Sequence, residues 1–179
     1  ELLFKTDKFI QDVTQKNSIT QPVSTADFHY MLGKAVLSDT PLPHLSFVAQ
    51  AARYDVPVFV SSPGDSSIGM NLSYLKIKDK GITIDTDLDV LQTTAIVFNS
   101  EKNGVISIGG GSPKNFYMQT QPTLAQILDI NKGGHDYFVQ ITTDAPQWGG
   151  LSGATPTEAI SWGKIRSEEV KNHVVVYSD

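Results

Sequence analysis

Cysteine is absent from this sequence of 179 residues. Its absence excludes disulfide bonds, thiol nucleophiles and cysteine-ligated metals here, and it fits an enzyme of the cytoplasm. Long apolar runs are also absent, because no stretch approaches the roughly 18 residues that indicate a membrane-spanning helix. The basic residues form no run and the net charge is −5, which argues against a nucleic-acid surface.

The composition that remains is typical of a folded globular domain. Hydrophobic residues make up 40% and charged residues 18%, and the length allows one domain with a sizeable core. The sequence begins without methionine inside a helical pattern and stops just after a strand-like run. We therefore expect residues 1–179 to be a single domain taken from a longer chain, truncated at both ends.

Helical and strand-like segments alternate along the chain. A capping box at Ser24 and Asp27 opens one helix, and "VPVFVSS" reads as a buried strand. Three more strand-like runs follow helical segments: "GVISIGGG", "DYFVQITTD" and "HVVVYS". This alternation predicts an α/β fold with a mainly parallel sheet and helices on both faces.

Loops rich in glycine, serine or acidic residues follow these predicted strands. They cover residues 61–69, 109–115, 142–153 and 177–179. Ligands of parallel sheets bind beyond the carboxyl ends of the strands, so we expect the loops to meet at one crevice near Lys164. Glycine at a strand-to-helix turn lets the backbone approach a phosphate, although each loop taken alone fits a tight turn equally well.

Several familiar motifs fail on single positions. "DTDLD" lacks the glycine and glutamate of a calcium loop, and "GGLSG" is followed by Ala154 where a nucleophile elbow needs glycine. Neither a Walker lysine nor the Gly-x-Gly-x-x-Gly fingerprint is present. The four histidines have no metal-ligand spacing, so no metal site is expected.

The segment "GATPTEAISWGK" predicts a short helix that ends close to a lone lysine. Thr155 and Glu158 form a second capping-box pattern, with Pro156 at the first helical position. Lys164 follows Gly163 and stands between apolar neighbours. A lysine there is favoured by the helix dipole, or it is used for chemistry, and composition leaves both interpretations open.

A family resemblance bears on this choice. "LSGATPTEAISWGKI", "SSPGDSSIGMN", "IGGGSPKNF" and "GGHDYFVQITTD" resemble segments of the deoxyhypusine synthase family, especially its bacterial deoxyhypusine synthase-like and homospermidine synthase-like branch. The resemblance implies a Rossmann-like NAD-binding domain and homotetramers with sites at subunit interfaces. It also implies transfer of the aminobutyl group of spermidine, through a lysine imine, to an acceptor amine.

The resemblance assigns roles to individual positions. Lys164 matches the covalent nucleophile, and its apolar flank would lower its pKa toward the free amine that the reaction needs. The matched amine-pocket positions are Glu158, Trp162 and Asn115. The matched cofactor positions are Asp65, Gly110, Gly111, Thr143, Ser152 and Asp179.

This sequence departs from the eukaryotic pattern at three positions. Asn115 stands where a histidine base is found, and Met70 and Leu151 replace two aspartates that grip spermidine. His135 is a candidate replacement base, although its sequence position does not match. Because the pocket is altered, putrescine is slightly favoured as the acceptor over the lysine of a translation-factor precursor.

Two other function classes stay open from the sequence. The first is a dinucleotide-binding protein without transferase activity, which the altered pocket positions would explain. The second is an NAD-dependent amine dehydrogenase without a covalent step. The lysine in its apolar setting favours the transferase over the first, and the missing Gly-x-Gly-x-x-Gly weakens the second.

Overall fold

The computed structural model describes residues 1–17 and 19–178. The chain separates into two compact units, Glu1–Asp89 and Val90–Asp179. That the whole sequence forms one domain of a longer chain stays a prediction.

Helices build the first unit, and a side-chain cap sets the start of α2. Ser24 Oγ accepts from the Asp27 amide at 2.9 Å, and the Asp27 carboxylate accepts from the Ser24 amide at 3.3 Å. The expected capping box is therefore confirmed. The elements are α1 (Leu2–Lys16), α2 (Thr25–Asp39), a 3₁₀ turn (Pro43–Leu45), α3 (Phe47–Arg53), α4 (Ser67–Ile77) and α5 (Thr86–Asn99), which continues into the second unit.

An apolar core joins α1, α2 and α4. Phe28 and Leu32 lie one helical turn apart on α2 and are both buried, as the apolar spacing predicts. Full burial of a side chain as large as Phe28 contributes about 1.5–3 kcal/mol. The buried members of this cluster are Ile10, Val13, Phe28, Leu32, Leu72 and Ile82.

The apolar run "VPVFV" at residues 56–60 is not a strand, so that prediction is wrong. Its last amide, that of Val60, donates to Thr25 Oγ1 at 3.0 Å, and Pro57 has no amide hydrogen to donate. An apolar run without periodicity does not distinguish a strand from an extended segment. A β-strand requires backbone hydrogen bonds to an adjacent strand, and these depend on which segment lies beside it in the fold.

The second unit contains a three-stranded parallel sheet in the order β1-β2-β3. Ile106 of β1 pairs with Val139 of β2, which pairs in turn with Val174 of β3. The strands are β1 (Gly104–Ile108), β2 (Tyr137–Thr142) and β3 (His173–Tyr177). The helices are α6 (Ser112–Met118), α7 (Thr120–Pro122), a π-helical turn (Thr123–Ile127), α8 (Gly150–Gly153) and α9 (Pro156–Ser161), with 3₁₀ turns at Pro146–Trp148 and Ser167–Asn172.

The central strand β2 alternates between buried and exposed residues. Phe138, Gln140 and Thr142 point to the covered face, where Phe138 packs in a core with Met118 and Ile165. The three predicted strands in "GVISIGGG", "DYFVQITTD" and "HVVVYS" are confirmed as β1, β2 and β3. The α/β class with a parallel sheet flanked by helices is confirmed as well. Among the residues described, none of the helices is both long and apolar enough to cross a membrane.

Candidate active site

Lys164 follows α9 through a glycine-dependent turn. The Gly163 amide donates to the Ile160 carbonyl at 2.9 Å, and the Lys164 amide donates to the Ala159 carbonyl at 3.0 Å. This pair of bonds is a Schellman motif, which needs a left-handed residue at Gly163, and its φ is 67°. "WGK" is thus a helix stop that places a lysine at the position after the glycine.

The backbone of Lys164 is also fixed from the other side. Its carbonyl accepts from the His135 amide at 2.9 Å, and His135 and Ile165 form a parallel bridge. Gly134 permits this contact, because a Cβ there would lie 2.8 Å from the backbone of Ile165 and of Arg166. Hydrogen bonds therefore fix both the amide and the carbonyl of Lys164.

The Lys164 side chain is half-buried at the edge of a pocket. Its ammonium donates to Asn115 Oδ1 at 2.7 Å and lies 5.9 Å from the centre of the Trp162 ring. Burial lowers the pKa of Lys164 below its ordinary value. That shift favours the neutral amine, which is the form able to attack an imine carbon.

The pocket has a volume of about 390 Å³ and a mainly apolar lining. Among the described residues that line it, the charged ones are Lys114, Glu158 and Lys164. The uncharged ones are Asn115, Met118, Gln119, Phe138, Gly150, Leu151, Ala154, Thr155, Pro156, Ala159, Trp162 and Ile165. One carboxylate and two lysine side chains are thus set in a mainly apolar wall.

Glu158 lines this pocket as well as standing in the first turn of α9. Thr155 Oγ1 accepts from the Glu158 amide at 3.3 Å, so the cap uses the backbone of Glu158. The structure thus brings together Lys164 and the three predicted amine-pocket residues Glu158, Trp162 and Asn115. Their roles toward a substrate stay predictions.

Two of the predicted cofactor loops also meet in this unit. Gly110 packs on Ser152 so closely that a Cβ would lie 2.6 Å from the Ser152 Cα. Gln140 holds both loops, because its Nε2 donates to the Gly109 carbonyl at 2.7 Å and to the Ser152 carbonyl at 2.9 Å. Gly111 has a φ of 88° and is the residue immediately before α6. These loops lie at the carboxyl ends of β1 and β2, as predicted.

The other predicted cofactor positions fall in different places. Thr143 is exposed directly after β2, next to Asp144, which accepts from Ser152 Oγ. Asp65 is exposed in the first unit, in a turn where its amide donates to the Ser62 carbonyl at 3.1 Å. Asp179 lies outside the described residues. The expected meeting of residues 61–69 with the loops of the second unit therefore stays a prediction.

The candidate base His135 is not among the described residues that line this pocket. Its side chain is fully buried, stacks on Tyr117 with ring centres 4.7 Å apart, and has Nδ1 2.5 Å from Asn103 Oδ1. Burial lowers the pKa of His135 from 6.5 to about 4. The imidazole thus packs as a neutral group between Tyr117 and Asn103, and the backbone amide of His135 is what holds the Lys164 carbonyl.

Two residues of this site were missed by the sequence interpretation. Lys114 lines the pocket, and Gln140 ties together the loops at its edge. A signal for Gln140 was present, since it shares the buried face of β2 with Phe138 in the alternating pattern of "FVQIT". Lys114 gave no comparable signal, because a lysine two residues into a helix is ordinarily exposed.

These features define an α/β protein with a lysine at an apolar pocket beside glycine loops. The family model of deoxyhypusine synthase matches residues 1–179, and the chain belongs to that family. The family resemblance recognised in the sequence motifs is thereby confirmed.

Curated relatives agree with this assignment. A deoxyhypusine synthase-like protein of Nostoc punctiforme is 46% identical over 100% of this chain and 48% of its own length. A probable deoxyhypusine synthase 2 of Methanosarcina acetivorans is 45% identical over 95% of this chain and 48% of its own. Another, of Archaeoglobus fulgidus, is 47% identical over 72% of this chain and 42% of its own. The chain spans about half the length of these relatives.

Proposed function

We propose that the full-length protein is an NAD-dependent aminobutyltransferase that works through an imine on Lys164. The observation that supports this most is the half-buried Lys164 at an apolar pocket, with burial lowering its pKa. The family match supports the same reaction class. A lysine used only as a helix-end charge would gain nothing from such a setting.

In this proposal the donor is spermidine, and the butyl carbon bonded to its secondary nitrogen becomes an imine carbon when a hydride is given up to NAD. The Lys164 amine attacks that carbon, diaminopropane leaves with the proton that Lys164 gives up, and the butylamine group stays on Lys164 as an imine. An acceptor amine then displaces Lys164. The Glu158 carboxylate would pair with the terminal ammonium of the butylamine group, a charged hydrogen bond worth about 1.5–3 kcal/mol.

The glycine loops fit a dinucleotide. Gly109, Gly111, Gly149 and Gly150 all have positive φ, and a Cβ built on any of them meets no atom within 4 Å. Open backbone of this kind at the carboxyl edge of a parallel sheet suits a pyrophosphate. NAD, when bound, would supply the hydride acceptor for the donor and return the hydride to the product. The residues proposed to hold it are Asp65, Gly110, Gly111, Thr143, Ser152 and Asp179.

We infer putrescine as the acceptor, giving homospermidine, in preference to a precursor protein lysine. Glu158 is the one carboxylate among the described lining residues, and Leu151 contributes apolar surface where an aspartate would add charge. Such a pocket holds a single ammonium and an alkyl chain. We also propose a cytoplasmic homotetramer with sites at subunit interfaces, an expectation that rests on the family.

The test of the covalent step uses the full-length protein with spermidine and NAD, borohydride and intact mass. The expected result is an adduct one aminobutyl group heavier, mapped to Lys164. Lys164→Ala should abolish it, and Lys102→Ala, which changes an exposed lysine outside the pocket, should not. An adduct on another lysine, or full turnover by Lys164→Ala, would overturn the proposal.

The acceptor is tested by adding labelled spermidine with putrescine or with a precursor translation factor. Homospermidine formation supports the proposed acceptor, and label on the protein lysine alone reverses it. Bound NAD with neither product indicates a non-catalytic dinucleotide-binding protein. Oxidised amine without a trapped lysine indicates an amine dehydrogenase.

A further inference from the structure

Lys114 is a second lysine of the same pocket, and carbonyl oxygens surround its ammonium. Its Nζ lies 3.2 Å from the Ala154 carbonyl, 3.4 Å from the Ser152 carbonyl and 3.3 Å from Gln140 Oε1. An ammonium has three hydrogens, and each has an acceptor here. The side chain is thus fixed between α6, β2 and the segment around α8.

The three acceptors lie on two segments that are separate in the chain. Gln140 belongs to the central strand, whereas Ser152 and Ala154 belong to the wall that carries Leu151. The Ser152 carbonyl also accepts from Gln140. Removing the Lys114 ammonium would leave the Ala154 carbonyl without this donor and loosen that wall.

Lys164 differs from Lys114 in how its charge is held. Among the described residues its ammonium has one hydrogen-bond acceptor, Asn115 Oδ1 at 2.7 Å, and Asn115 directly follows Lys114 on α6. Hydrogen bonds to the charged form stabilise that form, so three oxygen acceptors hold a proton on Lys114 better than one holds it on Lys164. More acceptors therefore hold the ammonium of Lys114 than hold the ammonium of Lys164.

We propose that Lys114 is a positioning residue for the Lys164 reaction. Its ammonium, fixed on the carbonyl oxygens of Ser152 and Ala154 and on Gln140 Oε1, holds the wall of the pocket and presents a second positive charge to Lys164. This role rests on the proposed function of Lys164 as the reacting amine.

The consequence is a more reactive Lys164 at neutral pH. A like charge nearby disfavours the ammonium form of Lys164, which adds to the effect of burial. The interaction between the two lysines is seen at Lys114, where burial lowers the pKa, the Glu158 carboxylate opposes that shift and the Lys164 ammonium adds to it. Burial is the cause that lowers the pKa of Lys164 itself. Because the repulsion of two like charges is mutual, a charged Lys114 disfavours the ammonium of Lys164 in turn. Other titratable groups on segments that contact Lys164 are His135 and Asp136 before β2, and Arg166, whose guanidinium donates to the Lys132 carbonyl.

The test measures Lys164 directly and requires neither NAD nor spermidine. The full-length protein is treated with butanal and cyanoborohydride from pH 6 to 10, and digests are quantified by mass spectrometry. The lysine amine adds to the aldehyde, water leaves, and hydride from cyanoborohydride reduces the imine. Because butanal is uncharged, its labelling reports the fraction of Lys164 present as free amine.

Lys114→Gln removes the charge and keeps a hydrogen-bond donor. The expected result is a higher pH midpoint for Lys164 labelling, with a rate near pH 7 lowered about three- to tenfold, which corresponds to about half to one pH unit. Lys114→Arg keeps the charge, so the midpoint should stay near that of the unchanged protein. Its planar guanidinium does not match three converging oxygens, so kcat should still fall.

The matched control is Lys102→Gln, which removes one exposed lysine of the same unit outside the pocket. It should leave both the midpoint and the turnover unchanged. A folded Lys114→Gln variant with an unchanged Lys164 midpoint would overturn the proposal. In that case a lowered melting temperature would show Lys114 to be a structural tie alone.

A second measurement applies even if the variants fail to fold. The same digests of the unchanged protein report both lysines, and Lys114 must still be protonated at the pH where Lys164 is half-labelled. Labelling of Lys114 at a lower pH than Lys164 overturns the proposal. Aminobutyl transfer is measured separately, so a shifted midpoint without transfer supports Lys114 and contradicts the proposed function.

Discussion

Helices α2 and α9 begin with the same sequence pattern and use it differently. In α2 the Asp27 carboxylate accepts from both the amide and the hydroxyl of Ser24, at 3.3 and 2.7 Å. In α9 the Thr155 hydroxyl accepts from the Glu158 amide, and the Glu158 side chain lines the pocket. A hydroxyl and an acid three residues apart thus complete a cap in one helix and leave a carboxylate at the pocket in the other.

The C-terminal ends of the two helices differ as well. Helix α2 runs for 15 residues over an apolar core, whereas α9 has six residues and ends in the turn at Gly163 that carries Lys164. A helix as short as α9 has little stability of its own and depends on its packing. The comparison indicates that α2 serves the fold and that α9 serves the pocket.

Replacing Lys164 should have the largest effect, and it should act on activity alone. Lys164→Ala removes the proposed nucleophile, so kcat/KM for aminobutyl transfer should fall at least about 10³-fold, or about 4 kcal/mol. The melting temperature should change little, because the side chain is half-exposed. Full activity of this variant would contradict the proposal that Lys164, which follows α9, is the nucleophile.

Acidification tests the burial of His135, whose backbone amide donates to the Lys164 carbonyl. Unfolded His135 titrates near 6.5, whereas burial lowers its folded pKa to about 4, so the unfolded state takes up a proton first as the pH falls. Stability should therefore decrease between pH 6.5 and 4 and level off below, with a total loss of about 3 kcal/mol. Urea unfolding of the protein and of His135→Gln across this range measures it. An equal pH dependence in both would contradict the assignment.

The two capping acids form a matched pair. Glu158→Ala should raise the KM for spermidine about tenfold or more by removing a charged contact, with a small change in stability. Asp27→Ala should leave KM unchanged and lower the free energy of unfolding by about 1 kcal/mol by breaking the capping box. Steady-state kinetics and urea unfolding of both variants check this. A stability loss without a KM change in Glu158→Ala, or a raised KM in Asp27→Ala, would contradict the different roles given to α9 and α2.

Replacing Gly163 tests the helix stop that positions Lys164. Gly163→Ala places a Cβ at a φ of 67°, a cost of roughly 1–2 kcal/mol, and tilts the backbone that holds Lys164. Both stability and kcat should decline, and Gly163→Asn, which tolerates this conformation better, should recover part of each. Lys102→Ala, at an exposed lysine of the same unit outside the pocket, is the control and should leave stability and kcat unchanged.

Local sequence patterns were enough to predict many of the elements. Ser24 and Asp27 predicted the start of α2, "GVISI" and "FVQIT" predicted strands, and glycine after Trp162 marked the end of a helix. These features depend on caps, periodicity and positive φ, which act within a few residues. The run "VPVFV" failed because a strand exists only with a partner, and no local pattern names that partner.

By itself, the sequence determined the α/β class, the parallel strands, the helix stop before Lys164 and the family. Each follows from residues close together in the chain, or from motifs in their order. Tertiary structure alone decided that Lys114 joins Lys164 in one pocket, that Gln140 ties two loops, and that His135 is buried away from that pocket. The physical reason is that these hydrogen bonds join segments that are separated in the chain, by 12 residues for Gln140 and Ser152 and by 49 residues for Lys164 and Asn115.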